Sequence, residues 1–480
     1  MLKSADPSAV SGEHYDLVIV GTGFGSSFYL HKVLEQRRAK RILVVEWGDH
    51  HPHDWQMENE RNTAIRDEDT YSSNSKKPWN YTIGFGGGTN CWFAQTPRLH
   101  PTDFKLKTLY GVGADWPMTY EDLEPFYGQA EDIMSIAGDP DSAVMFPRST
   151  PYPQPPHRPS TPDQVMKAAQ PGQHFIMPTA RARVPTKTRS ACCANLRCYL
   201  CPADAKFTAN NGLTGLYEEP SVTLLLRTQA VRFEADNSVV RKLIMDSDGR
   251  TLSVTADRFV LGANAIQSPA ILHRSGMAGG LTGVGLTEAV GVHVEALLKG
   301  MDNFDGSTIT TGLNFGLYDG AFRSEYSGAL IYFDNRWTHG LRPEPGRWRQ
   351  SLPLMIVCED LPQAGNTVTV DNEGGARVTF GGPHAYAQRG LEEAQKKLPG
   401  LLAPLPVEKI IYRYERPTES HLQCTLRMGR TAEDSVIDDK MIHHRWRNLT
   451  VVGTAAFSTC SCVNPSLTAA ALSLRAASLA

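Results

Sequence analysis

The sequence predicts an α/β domain with a parallel sheet joined to a second, α+β domain built on a mostly antiparallel sheet. Three observations predict it. Residues 15–46 read as strand, glycine turn, helix and strand; buried-type apolar segments return at Phe259-Val-Leu and Leu449-Thr-Val-Val; and residues 291–415 change to short alternating segments separated by turn-forming residues.

The first unit carries the most information. In Tyr15-Asp-Leu-Val-Ile-Val-Gly-Thr-Gly-Phe-Gly-Ser-Ser, the run from Leu17 to Val20 is short and β-branched, as a strand buried on both faces should be. Gly21 permits a tight turn, and Gly23 lets a phosphate approach without a Cβ in the way. The helix opening near Phe24 and Gly25 offers free N–H groups and its positive dipole end. Ser26 replaces the third glycine of the usual pattern and is small enough for close helix–strand packing. Leu30, Val33 and Leu34 give the helix a buried face. Glu46 ends the second strand 25 residues after Gly21, where a carboxylate accepts hydrogen bonds from a ribose hydroxyl. No arginine stands where a 2′-phosphate would need one, so the unit reads as Rossmann-like and its ligand as FAD rather than NADP.

Further along, Gly86-Gly-Gly-Thr-Asn-Cys-Trp sets Gly86 and Gly88 beside Thr89, Asn90, Cys91 and Trp92, a loop whose missing side chains suit close approach to a flat ligand. Thr119 is placed as a helix N-cap with Glu121 and Asp122 in the first turn. Residues 151–162 are rich in proline and read as an extended surface connection. Strands are expected at 222–226 and around Val231, and a strand from Phe259 leads past Ala263 into a helix, completing the nucleotide-binding sheet. Leu330-Ile-Tyr-Phe, Pro353-Leu-Met-Ile-Val and Thr367-Val-Thr-Val are expected in the second sheet. Gly453 and Thr454 follow the last short strand, and Pro465 and Ser466 open an alanine-rich helix that rejoins the first domain. The expected division is a discontinuous FAD-binding domain of residues 1–105, 203–290 and 420–480, a connecting segment 106–202, and a substrate domain 291–419.

The 480 residues, 41% hydrophobic, suffice for a large core, and the formal charge of −3 without long basic runs gives no electrostatic footprint for nucleic acid. No apolar run reaches membrane-spanning length and residues 1–14 lack a signal peptide's apolar centre, so no direct membrane insertion and a cytoplasmic address are expected, periplasmic only on export with a partner subunit. Of nine cysteines, Cys192, Cys193, Cys198 and Cys201 fall within ten residues, too clustered for a disulfide framework; such thiols suit an iron–sulfur cluster, a structural zinc or plain burial.

With these pieces in order, the chain resembles the glucose–methanol–choline oxidoreductases over nearly its whole length. The motifs are Gly21-Thr-Gly-Phe-Gly with Glu46, the Gly86-Gly-Gly-Thr-Asn loop, Leu261-Gly-Ala-Asn-Ala-Ile-Gln-Ser-Pro, His421-Leu-Gln-Cys-Thr-Leu-Arg-Met-Gly, and Asn448-Leu-Thr-Val-Val leading to Asn464-Pro-Ser-Leu-Thr. The resemblance implies FAD in the first domain and a substrate site on the antiparallel sheet. It assigns His421 and Asn464 as the pair facing the flavin ring, with His421 as base for an alcohol proton while a hydride leaves for flavin N5. Cys424 stands where the family usually has Gly, and Gly453 where many members have Asp. No histidine lies within residues 81–92, where some relatives tether the flavin, so FAD is expected to be non-covalent.

The cysteine segment is similar to that of bacterial sugar dehydrogenase catalytic subunits of this family, in which it holds a three-iron cluster. That implies a dehydrogenase acting on a sugar, glycoside, cyclitol or aminoglycoside, with a small partner subunit or electron-transfer protein as acceptor. Tyr332, Trp337, Asn314 and Glu359 are available for substrate contacts. The alternatives are oxidation of a sterol or long-chain alcohol, or a flavin-binding subunit without redox catalysis.

Overall fold

The computed structural model describes residues 2–480. Its first sheet is organised around Arg250–Leu261, whose 12 residues are enough to serve three neighbours. One edge pairs in parallel with His14–Val20, followed outward by Ile42–Val45 and Val222–Leu225, also parallel. On the other edge the strand's first half pairs antiparallel with Val239–Ser247, and its last three residues pair in parallel with Leu449–Val451. Gln229–Asp236 completes the antiparallel side. Ile42–Val45 is buried throughout, as a parallel strand covered on both faces must be.

The covering layer includes the glycine-turn helix Phe24–Gln36, which packs on the C-terminal helix Ser466–Leu479. Helix Tyr120–Met134 lies against the latter's other side, with Thr119 and Asp122 forming a reciprocal capping box at its start. Ser466–Leu479 is buried around most of its circumference, which its small apolar residues allow.

The second sheet has the order Val407–Glu415, Val290–Leu298, Ser351–Cys358, Ala329–Asp334, Thr310–Asn314 and His174–Ile176, antiparallel throughout. Its residues alternate between two buried faces rather than between core and water. Val292, Val294, Leu352, Leu354, Ile331 and Phe333 pack against Leu391, Leu398 and Leu401 of helix Ala385–Leu401. On the opposite face the register places Tyr414, His293, Met355 and Tyr332 in one cross-strand row. That row faces the first domain.

The mixed α/β and α+β class is the one expected, with three differences of detail. Thr367–Val370 does not join the second sheet; with Ala376–Thr379 and Tyr71–Ser73 it forms a separate three-stranded sheet. Helix Ala385–Leu401 interrupts the region read as continuous strand pattern, and residues 106–202 contribute an edge strand as well as connection. The proline-rich stretch 151–162 is extended but anchored. Gln154 accepts from Arg183 N and Val184 N, buried His157 meets Arg181 O at 3.0 Å, and Ser160 caps helix Thr161–Ala169.

Candidate active site

A cavity of about 1000 Å³ runs from the carboxyl ends of the parallel strands to the inner face of the second sheet. That is the crevice in which open α/β sheets bind ligands. Its volume is at the upper end of the usual range for small-molecule sites.

At the first end the glycines do distinct jobs. Gly21 has φ +91°, and a Cβ there would lie 2.6 Å from Gly262 O. A Cβ on Gly25 would lie 2.6 Å from Gly453 N, whereas one on Gly23 would meet nothing closer than 4.0 Å and would project into the open cavity. Helices Phe24–Gln36 and Ser466–Leu479 both begin at this cavity without a side-chain cap, so free backbone N–H groups line it. Glu46 is buried beside them. Its carboxylate accepts from Thr22 N at 3.1 Å, Thr22 Oγ1 at 2.7 Å and Gly48 N at 3.0 Å. Burial raises its pKa and these donors work against the rise. An acceptor carboxylate, open glycine backbone and two uncapped helix starts fit the ribose and pyrophosphate of FAD.

Of the residues expected to hold the cofactor, Gly21, Gly23, Phe24, Gly25, Glu46, Gly88, Cys91, Trp92, Ala263, Gly453, Thr454, Pro465 and Ser466 line the cavity. Five stand behind its wall. Ser26 Oγ donates to Val20 O, Gly86 N donates to Thr22 Oγ1, Thr89 Oγ1 accepts from Ala209 N, and Asn90 Nδ2 donates to Phe85 O. Val231 is displaced by one residue: its carbonyl takes Arg274 Nε at 2.7 Å, and Gln229 and Ala230 line the cavity instead. A bulge between Ala230 and Arg232 accompanies that slip, which motif order could not show.

At the other end Asn464 Nδ2 lies 3.3 Å from His421 Nε2, while Asn464 Oδ1 accepts from Tyr332 OH at 2.9 Å. Tyr332 OH, also 3.3 Å from Cys462 O, favours the amide orientation in which N–H points at the imidazole and Nε2 accepts. His421 Nδ1 is buried without a hydrogen-bond partner. Burial, reinforced by Arg416, pushes the His421 pKa down to about 3. The ring's backbone is held from below by buried Glu288, whose carboxylate accepts from His421 N, Glu419 N and Thr418 Oγ1 and pairs with Lys77. Ser420 and Cys424 bracket this turn with φ of +58° and +71°. The left-handed geometry at Cys424 explains why glycine suits that position.

Several residues of the site were not legible in the sequence. Thr22 ties the glycine turn, Glu46 and the second glycine loop together. Buried Lys206, its pKa pushed down to about 8 by burial, donates to Asn90 O, Trp92 O and Tyr199 O and so joins that loop to the cysteine segment. Arg336, Arg416 and Glu419 line the chamber beside His421. Of the four side chains expected near substrate, only Tyr332 does so. Trp337 lies outside against Phe304 and Trp348, Asn314 bonds Gln170, and Glu359 is spent on Arg323 and Tyr386 in the core.

The four clustered cysteines do not assemble into a metal site. Cys193 is exposed, buried Cys198 receives Arg181 Nη1 at 3.7 Å, Cys201 accepts from Ala205 N, and Cys192 approaches Thr308. Among the described residues no group of three or more His, Cys, Asp or Glu side chains is placed to hold a metal ion. Burial raises the Cys198 pKa, and Cys192 and Cys201 nevertheless lie near enough for their charges to raise it further.

Residues 385–473, which include both His421 and Asn464, match the family model for GMC oxidoreductase. The chain carries a GMC oxidoreductase domain. It is 26% identical over 538 residues to the fructose dehydrogenase large subunit of Gluconobacter japonicus, covering 96% of this chain and 97% of that protein. It is likewise 26% identical to 2-methyl-1,2-propanediol dehydrogenase of Mycolicibacterium austroafricanum, covering 97% of this chain and 95% of the relative. Against 6'''-hydroxyparomomycin C oxidase of Streptomyces lividus the identity is 31%, over 54% of this chain and 50% of the other. Among solved structures, pyridoxine 4-oxidase from Mesorbium loti gives a TM-score of 0.65 at 17% identity, covering 97% and 99% of the two chains. An arginine-substituted formate oxidase of Aspergillus oryzae RIB40 gives 0.68 at 14%, covering 98% of each. These structural likenesses show the fold described above.

Proposed function

We propose that this GMC oxidoreductase oxidises a CH–OH group of a sugar-like substrate to the carbonyl, with FAD held non-covalently. The observation that carries the reading is the His421–Asn464 pair at one end of a cavity whose other end offers the glycine cradle and Glu46. When bound, the flavin supplies a hydride acceptor. The residues do the rest. His421 Nε2, unprotonated at neutral pH, takes the hydroxyl proton; Asn464 Nδ2 donates to the same oxygen; Tyr332 keeps the amide turned that way; and Glu288 holds the His421 backbone.

A sugar-like substrate is supported by the polar character of the chamber, where His293, Arg336, Tyr414, Arg416 and Glu419 stand, and by relatives named for fructose and an aminoglycoside. A dehydrogenase is favoured over an oxidase because the two relatives matched over nearly the whole chain are named dehydrogenases. The acceptor is then an electron-transfer protein or partner subunit, and the address cytoplasmic unless a partner exports the chain. Among the described residues no helix is long and apolar enough to cross a membrane.

Turnover of a panel of alditols, cyclitols and long-chain alcohols with a dye acceptor, compared with oxygen alone, tests this reading. Dye-dependent oxidation of polyols supports it; oxidation of long-chain alcohols only would replace the substrate class. Iron, zinc and sulfide analysis of protein purified without air decides the cysteine segment: about three or four irons support a cluster, and flavin alone removes it.

A further inference from the structure

The substrate chamber holds two guanidinium groups whose hydrogen-bonding capacity the protein does not use. Two fully buried arginines of the core are saturated: Arg323 spends all three nitrogens on Glu359, Thr102, Asp319 and Asp103, and Arg98 does the same on Glu131, Tyr120, Glu124 and Pro147 O. Arg336 differs. Its Nε donates to Asp334 at 2.9 Å and its plane lies 5.5 Å from the Phe93 ring centroid, while Nη1 and Nη2 have no partner among the described residues. Arg416 directs Nη1 to Met355 Sδ at 2.8 Å and to Glu419 at 3.2 Å, with Nε and Nη2 free of described partners.

Both arginines line the cavity, Arg416 against Met355 and Arg336 just past the end of strand Ala329–Asp334, which carries Tyr332. Met355, against which Arg416 rests, is the cross-strand neighbour of Tyr332, and Tyr332 holds Asn464. Each guanidinium has one carboxylate beside it and keeps N–H groups free. Asp334 offsets Arg336, but burial pushes the Glu419 carboxyl up to about 7, and burial also keeps His293 unprotonated with a pKa near 4. A guanidinium fork with free N–H groups is built for a carboxylate.

We propose that the substrate is a hydroxy acid of the sugar-acid type, its carboxylate held by Arg336 and Arg416 while the carbinol lies at His421 and Asn464. This rests on the alcohol-oxidation reading above and narrows its substrate class. Amino sugars are disfavoured, since an ammonium group would face two guanidiniums.

The test compares a six-carbon aldonate with the corresponding alditol, which differ only at the terminal carbon, using the flavin-loaded full chain. Binding is measured by calorimetry on a His421→Ala background, so that it needs no turnover, and kcat/KM on the parent. The aldonate is expected to bind about ten-fold or more tighter than the alditol. The preference shrinks about ten-fold in Arg336→Gln and in Arg416→Gln, is partly kept in Arg336→Lys, and weakens as salt rises from ~0.02 to ~0.5 M. Should the Gln variants fail to fold, the Lys variant and the salt dependence decide. Equal binding of acid and alditol, or a preference that neither the arginine variants nor salt alters, overturns the inference. If alditols are oxidised without any preference for the acid, the inference falls and the oxidation reading stands. If neither compound is oxidised but the aldonate binds through the arginines, the oxidation reading falls and the carboxylate site stands.

Discussion

His421 has one nitrogen that accepts from Asn464 and one that is buried without a partner, and this asymmetry fixes what the residue can do. His421→Ala should lower the rate of substrate-driven flavin reduction by about 10²–10⁴. Stopped-flow absorbance checks it, and near-wild-type reduction would remove the base from His421. The pH dependence follows from the lowered pKa. Because burial holds His421 near 3, the base form persists as pH falls, so kcat/KM should show no histidine limb near 6.5 and should fall only at clearly lower pH. His421 was one histidine among fifteen, found only through the order of motifs around it. The Tyr332 contact to Asn464 was out of reach of the sequence, because cross-strand register decides which tyrosine meets which amide. The arginines were invisible for the same reason. Nothing in the composition distinguishes a guanidinium saturated in the core from one left free in a cavity.

Among the elements, the glycine turn yields the sharpest contrast. Gly25→Ala would drive a Cβ onto Gly453 N, separating helix Phe24–Gln36 from the strand end it packs on, while Gly23→Ala adds a methyl only to open cavity. The first should cost about 1–3 kcal/mol of stability, and the second should leave the apoprotein's melting temperature nearly unchanged while weakening FAD binding. Calorimetric melting with flavin titration separates the two, and equal loss of stability in both would contradict the cradle. This unit was legible because its spacing is local: strand, turn, helix and acid all lie within residues 15–46. The second sheet was legible in kind but not in detail. Alternation revealed strands, but helix Ala385–Leu401 covers one face and the cavity the other, so no solvent face marked the sheet's boundaries. Thr367–Val370 carries the same pattern and pairs elsewhere.

For the molecule as a whole, four histidines are held unprotonated by burial: His157, His293 and His443 near 4 and His421 near 3. Each takes up a proton on unfolding below the ordinary value, so each contributes stability that is lost as pH falls from about 6.5 toward those values. Asp360 and Glu419, raised to about 7, work oppositely, since the folded state keeps protons there that the unfolded chain has released. Of these six groups the four histidines outweigh the two carboxyls near pH 5, so their combined effect is stability lost as pH falls. Urea melts between about pH 4.5 and 6 check the sign. The central claim concerns the cavity as one site, flavin at the glycine end and carbinol at the histidine end. Its most direct measurement is the flavin absorption band of the loaded protein in the absence of oxygen, followed while polyols and sugar acids are added. Bleaching that follows substrate concentration and is abolished in His421→Ala is the predicted result. A band that stays unchanged with every alcohol tried would make the flavin structural and contradict the account.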